Sequence, residues 1–357
     1  MSTAAGKLAA RTFANWPLVI GVAILLAAAG LLALVGWLAP SEPLLRGWLV
    51  AFAIFSSIPI GSMMWLMIHR LTGGEWGQAA APVLRPAAAT TPLTVLAFVP
   101  VLAGLPHVYA WAADPSTIPA DVAHWYLNAP SFAIRSLVAL AGWSFLAVIF
   151  AAGSGSALLA GLGLAFFGLT ISLSAVDWYL SLEPHYVETS FAAMIAVQQL
   201  LAALAVTALI GPPAIDGKIA GDVGGLLIAT LLGVVYLEFM TFVIAWYGDL
   251  PDKAEWFLKR ASAGWVALLV TALVIGAVLP FGMLLVTAVR RSSRGLRVTS
   301  ALIILGTALH FTWLLVPAFD DQAAVIGAAC AGVAVLALAS LLIGPALARL
   351  LEAPDAE

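Results

Sequence analysis

Residues 263–287 read AGWVALLVTALVIGAVLPFGMLLVT and contain no charged side chain. A helix needs about 20 mainly apolar residues to cross the ~30 Å hydrocarbon layer of a membrane. Ten stretches of this kind, separated by polar breaks, predict an all-α integral membrane protein with ten transmembrane helices. The predicted spans are residues 16–38, 47–69, 88–111, 131–151, 156–180, 189–210, 223–247, 263–287, 297–317 and 323–348.

The composition supports this fold class over the whole chain of 357 residues. Hydrophobic residues make up 63% of it and charged residues only 9%, a balance that no soluble globular domain shows. The net charge of -3 argues against nucleic acid as a partner, because phosphate backbones are bound by clustered Lys and Arg. Cys330 is the only cysteine, which excludes disulfides, cysteine-ligated iron-sulfur clusters and CxxCH haem attachment within this chain.

The basic residues predict the orientation of the chain in the membrane. The apolar run from Trp16 to Ala39 is too long for a signal-peptide core, so we expect it to be a retained first helix. With the N-terminus placed inside, the inner segments hold ten of the fifteen Lys and Arg residues. Such a bias sets the orientation of membrane proteins, and it predicts that both termini face the cytoplasm.

Two outer loops share a pattern that suggests an internal repeat. Pro130 and Trp143 follow the first loop, and Pro251 and Trp265 follow the second. The two prolines are 121 residues apart in the sequence, and the two tryptophans are 122 residues apart. The pattern predicts two parallel repeats within a single membrane domain, although membrane loops commonly share Pro and Trp for interfacial reasons alone. The predicted units of the domain 1–357 are a flanking helix at 16–38, a four-helix bundle of helices 2–5 at 47–180, a four-helix bundle of helices 6–9 at 189–317, and a flanking helix at 323–348.

A polar stripe marks the fifth predicted helix. Thr170, Ser174, Asp177 and Ser181 recur at spacings that place them on one helix face. The chain continues to Tyr186 through further ionisable and aromatic residues at the outer interface. A solvated helix end with ordinary aromatic anchors is the alternative interpretation of this segment.

Two more ionisable residues lie inside predicted spans, where a charge is costly and a functional or pairing role is expected. Glu238 lies about nine residues, or ~14 Å, from the outer end of helix seven, and it is predicted either to relay protons or contact a ligand, or to be a neutral acid bonded to Thr241. His310 lies in helix nine; ligation of a haem together with His107 is one alternative for it, and a hydrogen-bonded core histidine is the other. One outward-facing polar pocket is expected to gather Asp177, His185, Glu238 and His310.

At these residues the sequence resembles a known family. The segments Trp125–Arg135, Ser174–Tyr186 and Trp246–Trp256 resemble the ActF-type membrane subunit of alternative complex III, a bacterial quinol oxidoreductase, and its relatives, the NrfD-type membrane subunits of polysulfide reductase. The resemblance covers most of helices two to nine, and its most specific part runs from Asp-Trp to Glu-Pro-His. It implies the two-bundle fold, and the site positions that it implies are Arg135, Asp177, Glu183 and His185.

The resemblance also implies a function. The chain is expected to be an integral membrane subunit of a respiratory quinol oxidoreductase complex in the bacterial inner membrane, where it contributes the surroundings of a quinol site or a proton pathway and anchors redox partners. It implies that this chain itself has no catalytic residue and holds no metal or cofactor. The ligand that it implies is quinone or quinol. The implied partners are other NrfD-type membrane subunits, iron-sulfur and cytochrome c subunits, a terminal oxidase, and lipid. The alternatives are a secondary transporter or proton channel that works alone, and a scaffold without chemistry.

Overall fold

The computed structural model describes residues 42–211, 216–248 and 251–351. These residues form helices and no strand, and nine of their helices are long and apolar enough to cross a membrane. The predicted all-α membrane class is therefore confirmed. The first predicted helix, at 16–38, and both chain termini lie outside the described residues. The nine spans are α1 (Glu42–Thr72), α2 (Glu75–Ala103), α3 (Ala129–Ala151), α4 (Ala157–Leu182), α5 (Phe191–Ile210), α6 (Gly217–Gly248), α7 (Ala263–Leu285), α8 (Ser293–Ala318) and α9 (Gln322–Leu351).

Eight of the predicted spans agree with the structure to within six residues at each end. The exception is the span predicted at 88–111, because α2 begins at Glu75 and ends at Ala103. Its first part is rich in alanine, the strongest helix former, and stays helical although it contains Pro82 and Pro86. The predicted spans left residues 70–87 between two membrane helices.

Helix α1 lies at the centre of the described bundle. Of its most apolar window, 89% is buried inside the protein, compared with 17% for α6 and 22% for α7. Glycines let its neighbours approach closely: a Cβ at Gly47 would touch α9 at Ala328, and one at Gly61 would overlap the backbone of α5 at Gln199. Helices α6 and α7 are the outermost, so a membrane would cover much of their surface. The division into two four-helix bundles stays a prediction.

Consecutive spans run in opposite directions, so the turns after α1, α3, α5 and α7 share one side of the bundle. This side, called here the cation-rich side, carries eight of the thirteen Lys and Arg residues in the described segments. They are Arg70, Arg85, Lys218, Arg290, Arg291, Arg294, Arg297 and Arg349. The longer connections, including 104–128 and the helix Pro251–Lys259, lie on the opposite side, called the loop side.

Candidate functional site

A cavity of about 670 Å³ lies between helices α5, α6, α7 and α8, on the half of the bundle nearer the loop side. Most of its lining is apolar. We call it the α5–α8 cavity, and the polar side chains at its inner end include Gln198, Glu238, Arg260, His310 and Trp313.

The rim of the cavity consists of exposed apolar side chains. They belong mainly to α6 and α7, the two least buried spans. No other described residue covers these side chains, so within the described part of the chain the rim is open to the acyl chains of lipids. The exposed rim residues are Phe239, Phe242, Trp246, Leu258, Val266 and Leu273.

The polar end of the cavity is organised around His310. The Gln198 amide Nε2 lies 2.9 Å from His310 Nδ1, and His310 Nε2 lies 2.9 Å from Glu238 Oε1. With the amide group donating to Nδ1, a neutral imidazole carries its proton on Nε2, which faces the carboxylate. Thr241, the partner expected for Glu238, donates instead to the Leu237 carbonyl oxygen. Glu238 is therefore held by α8 rather than by its own helix.

Three buried polar atoms at this cavity have no hydrogen-bond partner, and two more, Glu238 Oε1 and His310 Nε2, have only each other. For Glu238 and His310, the two atoms are close enough for an ion pair, but their angles do not meet hydrogen-bond geometry. Buried polar atoms are almost always paired in proteins, so a group of unpaired ones indicates a place that receives a ligand or water. Because donors and acceptors both occur here, the ligand is expected to carry both kinds of group. The three atoms without any partner are Gln198 Oε1, Arg260 Nε and Trp313 Nε1.

Arg260 closes the cavity on the loop side. Its guanidinium donates to Glu183 Oε2 at 2.5 Å and to the Leu314 carbonyl oxygen at 2.9 Å, and it lies 3.5 Å from the centre of the Trp256 ring. Burial lowers the pKa of Arg260, and the Glu183 carboxylate acts in the opposite direction. Glu183 also pairs with Lys259 at 3.3 Å. The predicted site residue Glu183 thus reaches the cavity only as the counter-ion of Arg260, a residue that the sequence did not single out as part of a site.

Asp177 and Arg135 form a separate ion pair. Arg135 donates from Nε to Asp177 Oδ2 at 2.7 Å and from Nη2 to Oδ1 at 3.0 Å. Its guanidinium lies 4.0 Å from the centre of the Tyr126 ring, and burial with the nearby Asp177 charge raises the pKa of Tyr126 to about 12. Neither residue of the pair lines the α5–α8 cavity. The pair joins the beginning of α3 to the end of α4.

The remaining predicted positions do not gather at the cavity either. The polar stripe of α4 forms one buried helix face. Two tryptophans donate hydrogen bonds to it, Trp143 to Thr170 at 2.9 Å and Trp111 to Ser181 at 3.1 Å. His185 is exposed, and His107 does not line the cavity. The expected convergence therefore holds for Glu238 and His310, whereas Asp177 and His185 lie elsewhere.

The backbones of α7 and α8 meet at the cavity wall. A Cβ at Gly276 would lie 2.6 Å from Gly306 Cα, so neither position has room for a side chain. Helix α7 has a π-helical turn at Val274–Val278, just before Pro280. Prolines disturb the helical hydrogen-bond pattern, and π-helical turns are frequent at functional sites. The close approach brings His310, one turn beyond Gly306, to the cavity.

Within the described ranges, no three His, Cys, Asp or Glu side chains are close enough to hold a metal ion. No protein-family model matches the chain, and no curated protein is significantly similar to it.

Proposed function

We propose that this chain is the membrane subunit of a respiratory quinol oxidoreductase complex and that the α5–α8 cavity binds the quinol head group. The supporting observation is that the cavity combines an apolar rim at the lipid boundary with unpaired polar atoms at its inner end. A quinol has the same division, because its two hydroxyl groups are polar and its tail is apolar. A quinol entering from the bilayer would meet the rim with its tail and Glu238 with its hydroxyls.

The size of the cavity suits such a ligand. Small-molecule sites in proteins usually have volumes of about 300 to 1,000 Å³ and are mostly apolar with a few placed polar groups. The α5–α8 cavity, at about 670 Å³, falls inside that range. The side chains that orient a head group come from three different helices, Gln198 from α5, Glu238 from α6 and His310 from α8.

Oxidation of a quinol to a quinone breaks two O–H bonds and releases two protons and two electrons. A proton acceptor must therefore lie within hydrogen-bond reach of the hydroxyl groups. We assign this role to the Glu238 carboxylate, which accepts one proton, releases it to water on the loop side and then accepts the second. His310 is a positioning residue, because its Nε2 is 2.9 Å from Glu238 Oε1 and its Nδ1 is held by Gln198.

The two electrons require an acceptor outside this chain. We assign it to iron-sulfur and cytochrome c subunits of the same assembly, in keeping with the resemblance to subunits of alternative complex III. In this proposal the protein lies in a bacterial inner membrane with its cation-rich side towards the cytoplasm. The quinol cavity is then nearer the outer, loop side.

Equilibrium binding of decylubiquinone to the purified chain in lipid nanodiscs tests the proposal. We expect saturable binding of about one quinone per chain. His310→Ala should weaken it about tenfold, because it removes a buried hydrogen-bonding group and leaves Gln198 unpaired. His124→Ala is the matched control, since His124 is exposed in the short helix Ala120–Trp125 and does not line the cavity. Binding that does not saturate, or that both variants affect equally, would argue against the site.

A further inference from the structure

A second cavity, of about 330 Å³, lies on the cation-rich side. It is formed where the turn between α1 and α2 meets the turn between α3 and α4. Arg70 at the end of α1 and Arg85 in α2 both line it, so two helices contribute one guanidinium each. We call it the Arg70–Arg85 pocket. It is separate from the α5–α8 cavity and shares no residue with it.

The two arginines have no partner among the residues that the structure describes. Neither makes a hydrogen bond or an ion pair with another described residue, and no acidic side chain lines the pocket. Glu75, on the adjacent turn, pairs instead with Lys218 at 3.0 Å. Two guanidinium groups at one pocket repel each other, and an anion between them removes that repulsion.

The pocket runs from a polar turn towards the apolar interior. Arg85 lies ten residues beyond the start of α2, and its guanidinium is next to Gly153 in the turn between α3 and α4. Leu66 and Phe150 also line the pocket and supply apolar walls below the turn. Arg70 and Arg85 are both exposed, so their guanidinium groups are open to an anion that arrives at the turns.

Glycines keep the walls of the pocket open. Gly153 has a φ of +75°, which favours glycine, and a Cβ there would lie 3.4 Å from Arg85 Nη2. A Cβ at Gly77 would overlap the His69 ring, which is itself fixed by a 3.0 Å contact of its Nε2 with the Gly74 carbonyl oxygen. The shape of the site is therefore set before any ligand arrives.

We propose that the Arg70–Arg85 pocket binds a phosphate group. Arginine recognises phosphate through paired N–H donors, and basic pockets at the cytoplasmic end of membrane helices attract anionic lipid head groups. Two sources carry this chemistry, the head group of an anionic phospholipid and free inorganic phosphate. The site is independent of the quinol cavity and does not rest on it.

Native mass spectrometry of the full chain in detergent tests this site. Phosphatidylglycerol, phosphatidylcholine and inorganic phosphate are added in separate arms. We expect retention of phosphatidylglycerol, or of phosphate, in preference to phosphatidylcholine. Arg70→Gln and Arg85→Gln should each weaken the binding about five-fold, the effect of one basic residue near an anionic head group. Arg85→Lys keeps the charge and should weaken it less, and Arg294→Gln, at an exposed arginine on the same side outside the pocket, should not weaken it.

The arms identify the source of the phosphate group. Binding of phosphatidylglycerol that inorganic phosphate does not displace supports the lipid, and binding of phosphate alone supports the free anion. Equal binding of phosphatidylglycerol and phosphatidylcholine with no binding of phosphate would overturn the proposal, as would anion binding unchanged in Arg70→Gln and Arg85→Gln. If either variant does not fold, anion binding to the wild-type protein is the test. The absence of saturable anion binding to the wild-type protein also overturns the proposal.

Discussion

His310 Nε2 lies 2.9 Å from Glu238 Oε1, although the two residues belong to different helices and are separated by 72 positions in the chain. Helix α6, which carries Glu238, is the least buried of the nine described spans. Its mid-span acid nevertheless turns towards α8 and the cavity. A carboxylate that faces lipid is costly, so the contact with His310 favours the orientation of α6 in which Glu238 points into the bundle.

Glu238→Gln should lower quinol-dependent electron transfer in the assembled complex by about 100-fold, because the amide does not accept the quinol proton. The amide keeps the shape of the side chain, so the affinity for decylubiquinone should change by less than about five-fold. The measurement is the quinol oxidation rate of membranes containing the variant. Glu255→Gln, at an exposed acid on the loop side, is the matched control. Unchanged turnover in Glu238→Gln would exclude Glu238 as the acceptor.

Asp177→Asn should act on stability and leave the quinone affinity unchanged. Asp177 is buried and holds Arg135 through two hydrogen bonds, and removing one partner of a buried ion pair costs about 3 to 5 kcal/mol. Glu42→Gln, which breaks the more exposed pair with Arg46, should cost less than about 1 kcal/mol. The free energy of unfolding in mixed detergent measures both. Equal effects of the two substitutions would contradict the structural role assigned to Asp177.

Gly276→Ala should destabilise the protein by about 1 to 3 kcal/mol, the usual range for an overfilled core. A Cβ there would lie 2.6 Å from the Gly306 Cα, so α7 and α8 must move apart and the cavity changes shape. Gly282→Ala, in the same helix but with no atom within 4 Å of the added Cβ, should have little effect. Thermal unfolding and quinone affinity, measured for both variants, check this. If Gly276→Ala were as well tolerated as Gly282→Ala, the close approach of the two helices would be refuted.

Proteoliposomes that contain only this chain should hold an imposed pH gradient. In the proposed function Glu238 exchanges protons with a quinol, whose oxidation needs redox partners, so the chain alone has no reason to conduct. A pH-sensitive dye inside the vesicles measures the decay of the gradient, and Glu238→Gln proteoliposomes provide the reference. A leak in the wild-type protein that this substitution removes would favour the alternative of a stand-alone proton channel.

The sequence predicted the spans well because the length of an apolar run is a local property of the chain. It missed the start of α2, where alanines keep Glu75–Ala89 helical around two prolines. Hydrophobic patterns place residues on a helix face, but they do not identify the partner across the bundle. Glu238 and His310 could therefore be selected individually, whereas their contact and the role of Arg260 depend on tertiary packing.

For Asp177 too, the sequence predicted the helix face but not the residue that it contacts. The four residues of its polar stripe on α4 were predicted to share one helix face, and the structure buries all four. A buried acid is equally expected beside a ligand or beside an arginine, and the sequence did not distinguish these cases. The structure places Arg135 against it, and Trp178 of the same helix donates to Ser136 at 2.8 Å. These contacts join α3 to α4 and take no part in the cavity.

Photolabelling with an azidoquinone that carries a decyl tail tests the location of the quinol site most directly. The purified chain is illuminated with the probe, digested, and the labelled peptides are identified by mass spectrometry. We predict labels on peptides of α6 and α8 that include Glu238 or His310, with protection by excess decylubiquinone and weaker labelling of His310→Ala. Protected labels confined to helices that do not line the α5–α8 cavity, with none on α6 or α8, would contradict the account.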